Sequence, residues 1–263
     1  DAGDIKDYRV INAKDLWKKI LTALYETGHA WITFKDPSNI RYSNKHEGIV
    51  HSSNLCTEIL LHTSPTQYDE GKVIDVGETA VCNLASINLS SHLKVRTIDW
   101  KKLQKTVEVA VRGLDNVINL NFYPTEEAKR ANLKHRPVGL GIMGTHDVLH
   151  KLGIPYNSKD AVVLCGKIQE FISLHAIKTS SLIAKEKGSY PSFEGSEWSK
   201  GNFPIDTYCD LMNQRETLRP ENVYKRLDFE SFVDEWEEVR ELVRKHGMRN
   251  SNVMAIAPTA TIS

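Results

Sequence analysis

Apolar residues recur along this chain at two spacings, and the alternation between them predicts its elements. Leu16, Ile20 and Leu24 repeat at helical spacing with Lys18 and Lys19 between them, which predicts an amphipathic helix over 13–27 stopped by Gly28. Ala30-Trp31-Ile32-Thr33-Phe34 reads as a short buried strand, broken by Asp36-Pro37-Ser38-Asn39. Residues 40–55 keep no period and read as a loop. A second strand lies within Glu78–Leu89. Leu103, Val107, Val111, Leu114 and Ile118 predict a long helix over 98–120, and Tyr123-Pro124 ends that region. Pro137–Gly144 predicts a third strand, whose glycines suggest close backbone approach. The longest helical stretch is 159–187, closed by Gly188. Residues 189–224 are rich in Ser, Pro, Gly and Asn and read as an irregular excursion. A helix over 229–246 ends at Gly247, and Val253–Ala257 is a last strand running into Pro258. Strands alternating with long helices imply parallel strands joined by crossover helices, an α/β fold.

Length and charge narrow the function. The chain has 263 residues, one large domain or two small ones, and 40% of them are hydrophobic, enough for a sizeable core. Lys+Arg and Asp+Glu balance at 34 each, so nothing asks for nucleic acid or a membrane surface. No apolar run approaches the roughly 18 residues of a membrane helix. Asp1-Ala2-Gly3-Asp4 does not read as a signal peptide. Four cysteines (Cys56, Cys82, Cys165 and Cys209) are too few for a disulfide scaffold, and no Cys-x-x-Cys spacing suggests a structural zinc site. A reducing, cytoplasmic compartment is expected.

Three segments carry candidate chemistry. Asn54-Leu55-Cys56-Thr57-Glu58-Ile59 places an amide, a thiol and a carboxylate within five residues. On an extended segment, Cys56 and Glu58 point to one side, where a base beside a sulfur could act on adjacent atoms. The plainer alternative is a buried small hydrophobe and a surface charge. Cys82 sits in Ala80-Val81-Cys82-Asn83-Leu84, where an inert core thiol is the competing reading. The chain closes on Pro258-Thr259-Ala260-Thr261-Ile262-Ser263, a hydroxyl-rich turn suited to phosphate if a helix begins there. Gly139-Leu140-Gly141-Ile142-Met143-Gly144 has the spacing of a dinucleotide fingerprint, a weak motif alone, which keeps a dinucleotide-dependent oxidoreductase as an alternative. Cys165 lies on an apolar helical face and reads as core, and Cys209 receives no role.

Taken in order, these strings resemble the large, catalytic subunit of ribonucleotide reductase. The resemblance runs through Thr27-Gly28 with Ile32-Thr33-Phe34, then Ser53–Ile59, Glu78–Leu89, Leu114–Ile118 and Asn121–Pro124. It continues through Arg136–Gly144 and Arg249–Asn252 to Pro258–Thr261, and 189–235 contribute little. It implies a ten-stranded α/β barrel with a central finger loop, of which residues 1–263 form an incomplete segment, the finger loop at about 40–60. It implies that Cys56 becomes a transient thiyl radical that removes the ribose 3′ hydrogen, that Glu58 takes the 3′ hydroxyl proton, and that Asn54 binds substrate hydroxyls. Cys82 is then one of two reducing thiols, and Thr259, Ala260, Thr261, Ile262 and Ser263 hold the substrate phosphates.

The same resemblance implies a ribonucleotide substrate, the remaining fragments of the large subunit, a radical-generating small subunit, and a thioredoxin- or glutaredoxin-type reductant. No cofactor is expected on this chain. The radical is expected from a metal-containing small subunit, on the look of the Pro258–Thr261 ending, or else from adenosylcobalamin. The thiol that pairs with Cys82 is expected upstream of residue 1, and the tandem tyrosines and C-terminal cysteine pair downstream of Ser263. An internal segment of a split or truncated subunit, inactive alone, is therefore expected, with a non-catalytic barrel-completing scaffold as the other alternative.

Overall fold

The computed structural model describes residues 8–207, 211 and 232–262. Tyr208, Cys209, Ser263 and most of the second half of the predicted excursion lie outside the described residues, as do 229–231 at the start of the last predicted helix. The chain divides into two compact units, Asp1–Phe34 and Lys35–Ser263.

The first unit is built on helix α1, Ala13–Thr27. The Asn12 side chain accepts from the Lys14 N–H at its start, and Gly28 in the left-handed region (φ 71°) donates its N–H to the Leu24 carbonyl at its end. Residues 30–34 do not form the strand their composition predicts: they carry no regular structure, and Trp31 and Phe34 are exposed. A strand exists only against a partner, and the apolar run has none among the described residues.

In the second unit, helix α2 covers Lys35–Arg41, where the sequence predicts a break. Pro37 falls in its first turn, where a backbone N–H has no intrahelical acceptor to lose. A hairpin of β1 (Gln67–Asp69) and β2 (Lys72–Asp75) follows the loop region, with strand β3 (Asn83–Asn88) after it. A 3₁₀ turn over Leu89–His92 leads into a small hairpin of β4 (Leu93–Lys94) and β5 (Thr97–Ile98). Helix α3 (Trp100–Leu120) is capped by the Asp99 carboxylate accepting from the Lys102 N–H. Helix α4 (Glu126–His135), strand β6 (Val138–Met143) and helix α5 (Thr145–Leu152) follow, then helix α6 (Lys159–Lys187) and helix α7 (Val233–His246).

Strands β3 and β6 pair in parallel, from Asn83 opposite Val138 to Asn88 opposite Met143. Residues 252–255 add a third parallel segment on the far edge of β6. Val138 and Leu140 donate to the Asn252 and Val253 carbonyls, and Ala255 donates back to Leu140. The expected crossover arrangement is thus present, with α3 covering the sheet, α6 against α3 and α7 against α6. The core runs from Ile87, Val138 and Leu140 through Val107, Val111 and Ile118 to Ile172 and Val243. The irregular stretch after α6 joins that core: Tyr190, Trp198 and Phe203 are buried.

Gly139 and Gly141 lie within β6, away from its turn into α5. A Cβ at Gly139 would stand 2.6 Å from Leu84 Cδ2 and 2.8 Å from Ala255 Cβ, and one at Gly141 would stand 2.5 Å from the Ala255 carbonyl oxygen. The glycine spacing serves close packing of neighbouring strands, and these two glycines have no phosphate-binding turn to shape.

Candidate functional site

Cys56 lies at the apex of a loop, between α2 and β1, that keeps no regular structure from Val50 to Ser53 or from Glu58 to His62. The apex is a turn. The Thr57 N–H donates to the Asn54 carbonyl (3.2 Å), the Asn54 N–H to the Ile59 carbonyl (3.2 Å), and the Ile59 N–H to Asn54 Oδ1 (3.1 Å). Asn54 thus shapes the loop with the amide expected to bind substrate. Thr57 takes a left-handed backbone (φ 64°), so Cys56 and Glu58 are not on the extended segment that the sequence suggests. Turn chemistry at Asn54 overrides the alternation on which that expectation rested.

The Glu58 carboxylate turns inward. Its Oε2 is buried and has no hydrogen-bond partner in the described structure. A buried carboxylate oxygen without a donor is costly, and native proteins keep few of them. Cys82 immediately precedes β3, and a Cβ on Gly139 would lie 3.4 Å from its sulfur. Burial pushes the Cys82 thiol up to about 12, and the negative charge of Glu58 adds to the shift. The two groups therefore share one electrostatic environment, although they lie 24 positions apart in the sequence. Cys56, Cys82 and Cys165 are all free thiols.

Beyond the third parallel segment the chain reaches Pro258 and an irregular stretch. Thr259 has a left-handed backbone (φ 60°), and Ala260, Thr261 and Ile262 are exposed. The helix start considered from sequence is not present through Ile262, and Ser263 lies outside the described residues.

A second cluster stands behind the loop. Glu78 Oε2 lies 2.5 Å from His135 Nε2, and Lys134 Nζ lies 2.7 Å from Glu78 Oε1 and 2.5 Å from Glu47 Oε2. These contacts, the His135 hydrogen bond first, hold the Glu78 carboxyl down to about 2 against the opposing effect of burial. Burial works against the Lys134 charge, but its hydrogen bonds to Glu47 and Glu78 outweigh it and raise its pKa. Ligand atoms of Glu47, Glu78 and His135 come within 4.8 Å of one another, a spacing that could hold a metal ion. The Lys134 ammonium already supplies the positive charge there. Sequence reading passed over this cluster, because its members lie far apart along the chain and match no spacing motif.

Comparison with known proteins bears on the whole segment. The family described as "Ribonucleotide reductase, barrel domain" matches residues 2–263. The ribonucleoside-diphosphate reductase subunit alpha of Chlamydia muridarum (strain MoPn / Nigg) is 50% identical over 265 residues, covering 100% of this chain and 24% of that protein. The subunit alpha of Helicobacter pylori (strain ATCC 700392 / 26695) is 40% identical over 304 residues, covering 98% of the chain and 36% of the relative. The ribonucleoside-diphosphate reductase large chain of Schizosaccharomyces pombe (strain 972 / ATCC 24843) is 36% identical, with 97% and 28% covered. The chain thus spans between about a quarter and a third of the length of these relatives. With its parallel strands, covering helices and near-complete match to the barrel model, this chain belongs to the ribonucleotide reductase barrel-domain family.

Proposed function

We propose that this chain is the part of a ribonucleotide reductase catalytic subunit that carries the radical thiol, one reducing thiol and the phosphate loop. The observation that carries the reading is the buried, unpartnered Glu58 oxygen, two residues from Cys56 and in the electrostatic reach of Cys82. Such an oxygen suits a donor supplied from outside the chain, and a ribose 3′ hydroxyl is one. The relatives' names specify ribonucleoside diphosphates, and that is the substrate proposed here.

The steps balance on that substrate. A radical delivered from a partner removes the hydrogen atom of the Cys56 thiol. The Cys56 thiyl takes the 3′ hydrogen of the ribose, and Glu58 accepts the 3′ hydroxyl proton. The 2′ hydroxyl leaves as water. Cys82 and a second thiol supply two electrons and two protons and end as a disulfide; one proton leaves with the 2′ hydroxyl as water, and the other, with the two electrons, makes the new C2′–H bond. Glu58 returns its proton to the 3′ oxygen, Cys56 returns its hydrogen to C3′, and the partner gives a hydrogen atom back to the Cys56 thiyl and recovers its radical. Asn54 orients the hydroxyls, and Thr259–Ser263 hold the phosphates. At neutral pH the raised pKa keeps Cys82 a protonated thiol, the form that can give a hydrogen atom or a proton. The radical comes from a metal-containing small subunit, which supplies a one-electron oxidant. A thioredoxin- or glutaredoxin-type protein restores the dithiol, and the cytoplasm is the compartment in which such a reductant operates.

The test combines this chain with polypeptides that complete the large subunit, a radical-generating small subunit and thioredoxin, and measures deoxyribonucleotide formation. Cys56→Ser is expected to abolish turnover. Glu58→Gln is expected to reduce it by about 10²- to 10⁴-fold, the usual range for removing a general base. A Cys56→Ser assembly with wild-type turnover would leave the segment as scaffold only. The chain without its companions is expected to form no product.

A further inference from the structure

We infer that Glu78, with Lys134, Glu47 and His135, is a clasp that positions the Cys56 loop against the strand led by Cys82. This rests on the catalytic reading above and adds residues that do not touch substrate. The loop leaves α2 along one stem and returns along another. On the outgoing stem, Glu47 binds Lys134, and Asn44 Nδ2 lies 3.4 Å from His135 Nδ1. On the returning stem, Ser64 exchanges both backbone hydrogen bonds with Glu78, at 3.0 and 2.9 Å. Glu78 therefore joins both stems: its backbone takes the return, and its carboxylate reaches the outgoing stem through Lys134. It also stands four residues before Cys82, on the same run of chain.

His135 closes the arrangement from α4. The tautomer that satisfies its neighbours donates Nε2–H to Glu78 and accepts at Nδ1 from Asn44 and from Ser192 Oγ, 2.6 Å away. Among the described residues, three further ties cross the loop: Asn39 brackets Val50, the His62 N–H donates to the Tyr42 hydroxyl at 3.4 Å, and His62 Nδ1 lies 2.7 Å from the Ile49 carbonyl. The apex from Ser53 to Leu60 is held by its own turn hydrogen bonds among the described residues. The position of the Cys56 sulfur thus follows from where the stems are fixed. A sub-ångström requirement at a reacting atom is met by locking the supports behind it. Glu78 and His135 are buried and paired, and breaking such a pair from one side is costly, which favours this arrangement of the supports.

Thiol alkylation tests the clasp without relying on turnover. Wild-type chain, Lys134→Met and Lys134→Arg are treated with iodoacetamide under native conditions, and the rates at Cys56 and Cys165 are followed by mass spectrometry. Cys165, on α6, reports general loosening. Lys134→Met is expected to speed alkylation of Cys56 by about tenfold through local opening of the loop, leave Cys165 unchanged, and be largely restored by Lys134→Arg. Any other pattern, including equal acceleration at both thiols, overturns the inference. In the assembled reductase, Lys134→Met is expected to lower kcat with little change in KM for the nucleotide, and an unchanged kcat also overturns it. If Cys56→Ser leaves turnover intact, the catalytic reading falls, while the alkylation rates still decide whether the clasp exists.

Discussion

Within the site, the Glu58 charge adds to what burial does to the Cys82 thiol. Burial is the larger cause of the raised Cys82 pKa, and the Glu58 charge is the second. Removing that charge while keeping the side chain's shape should lower the Cys82 pKa, because an anion no longer faces the forming thiolate. Glu58→Gln is therefore expected to speed alkylation of Cys82 at a fixed alkaline pH below 12, an increase of a fewfold because burial remains. A rate equal to or below wild type would show that the two groups do not share a pocket. The sequence makes both residues visible as candidates, and Cys56 with them. It does not show that Asn54 builds the turn, or that Thr57 takes a left-handed backbone and turns Glu58 inward. Those features go with a local turn made by two backbone hydrogen bonds and one from the Ile59 N–H to the Asn54 side chain, which no periodicity records.

Among the elements, the helices with long apolar stripes were legible almost to the residue. The sequence predicts 13–27, 98–120 and 159–187, and the structure has Ala13–Thr27, Trp100–Leu120 and Lys159–Lys187. Helices α4 and α5 are not predicted by the pattern: they are short, and α4 is mostly polar, with a narrow buried face of Ala128, Ala131, Asn132 and His135. The strand expected at 30–34 is absent because composition cannot supply a pairing partner, and Cys82 proves to precede β3, where the sequence placed it within the strand. The glycines of β6 are sites of close approach, as their place in a predicted strand suggests, and they differ in what they approach. A Cβ on Gly139 meets first the end of the Leu84 side chain, which can shift, whereas one on Gly141 meets the backbone oxygen of Ala255, which is tied to β6 by the Ala255 N–H. Gly141→Ala should therefore destabilise more than Gly139→Ala. The expected losses are toward the top of the usual 1–3 kcal/mol overpacking range for Gly141 and toward the bottom for Gly139. Urea titration of the two variants checks the order, and the reverse order would mean that the third segment moves more freely than the Leu84 side chain.

Two buried ionic centres tie distant parts of the second unit together, and they respond differently to acid and to mutation. At the first, Glu78 holds a pKa of about 2 against an ordinary 4.5, so the folded state binds its proton less readily than the unfolded chain. Its stabilisation is complete above pH 4.5 and is lost as the pH falls toward 2. The urea midpoint of the wild type should drop more steeply through that window than that of Glu78→Gln. At the second centre, Asp115 on α3 is fully buried and accepts from Arg136 Nη2 at 2.7 Å, with Arg249 Nε at 3.3 Å and Lys187 Nζ at 3.5 Å. Asn250 Nδ2 donates to the same carboxylate and to the Arg136 carbonyl, which joins α3, the end of α4 and the approach to the third parallel segment. Burial and the neighbouring Arg136 already lower the Arg249 pKa, so the cations repel one another and Asp115 is the charge that holds them. Asp115→Asn keeps the volume and removes the charge, leaving three cations around a neutral amide. The expected loss is about 3–5 kcal/mol, the cost of breaking a buried ion pair from one side. A second change, Arg249→Met, should recover part of that loss in the Asp115→Asn background while destabilising the wild type, because it removes a cation that only the carboxylate had balanced. Additive losses in the double variant would mean that the cations are neutralised by solvent. The third parallel segment would then be held in place by its backbone ladder and by neutral hydrogen bonds such as those of Ser180 to Asn250 and of Trp198 and Ser43 to the Ser251 carbonyl.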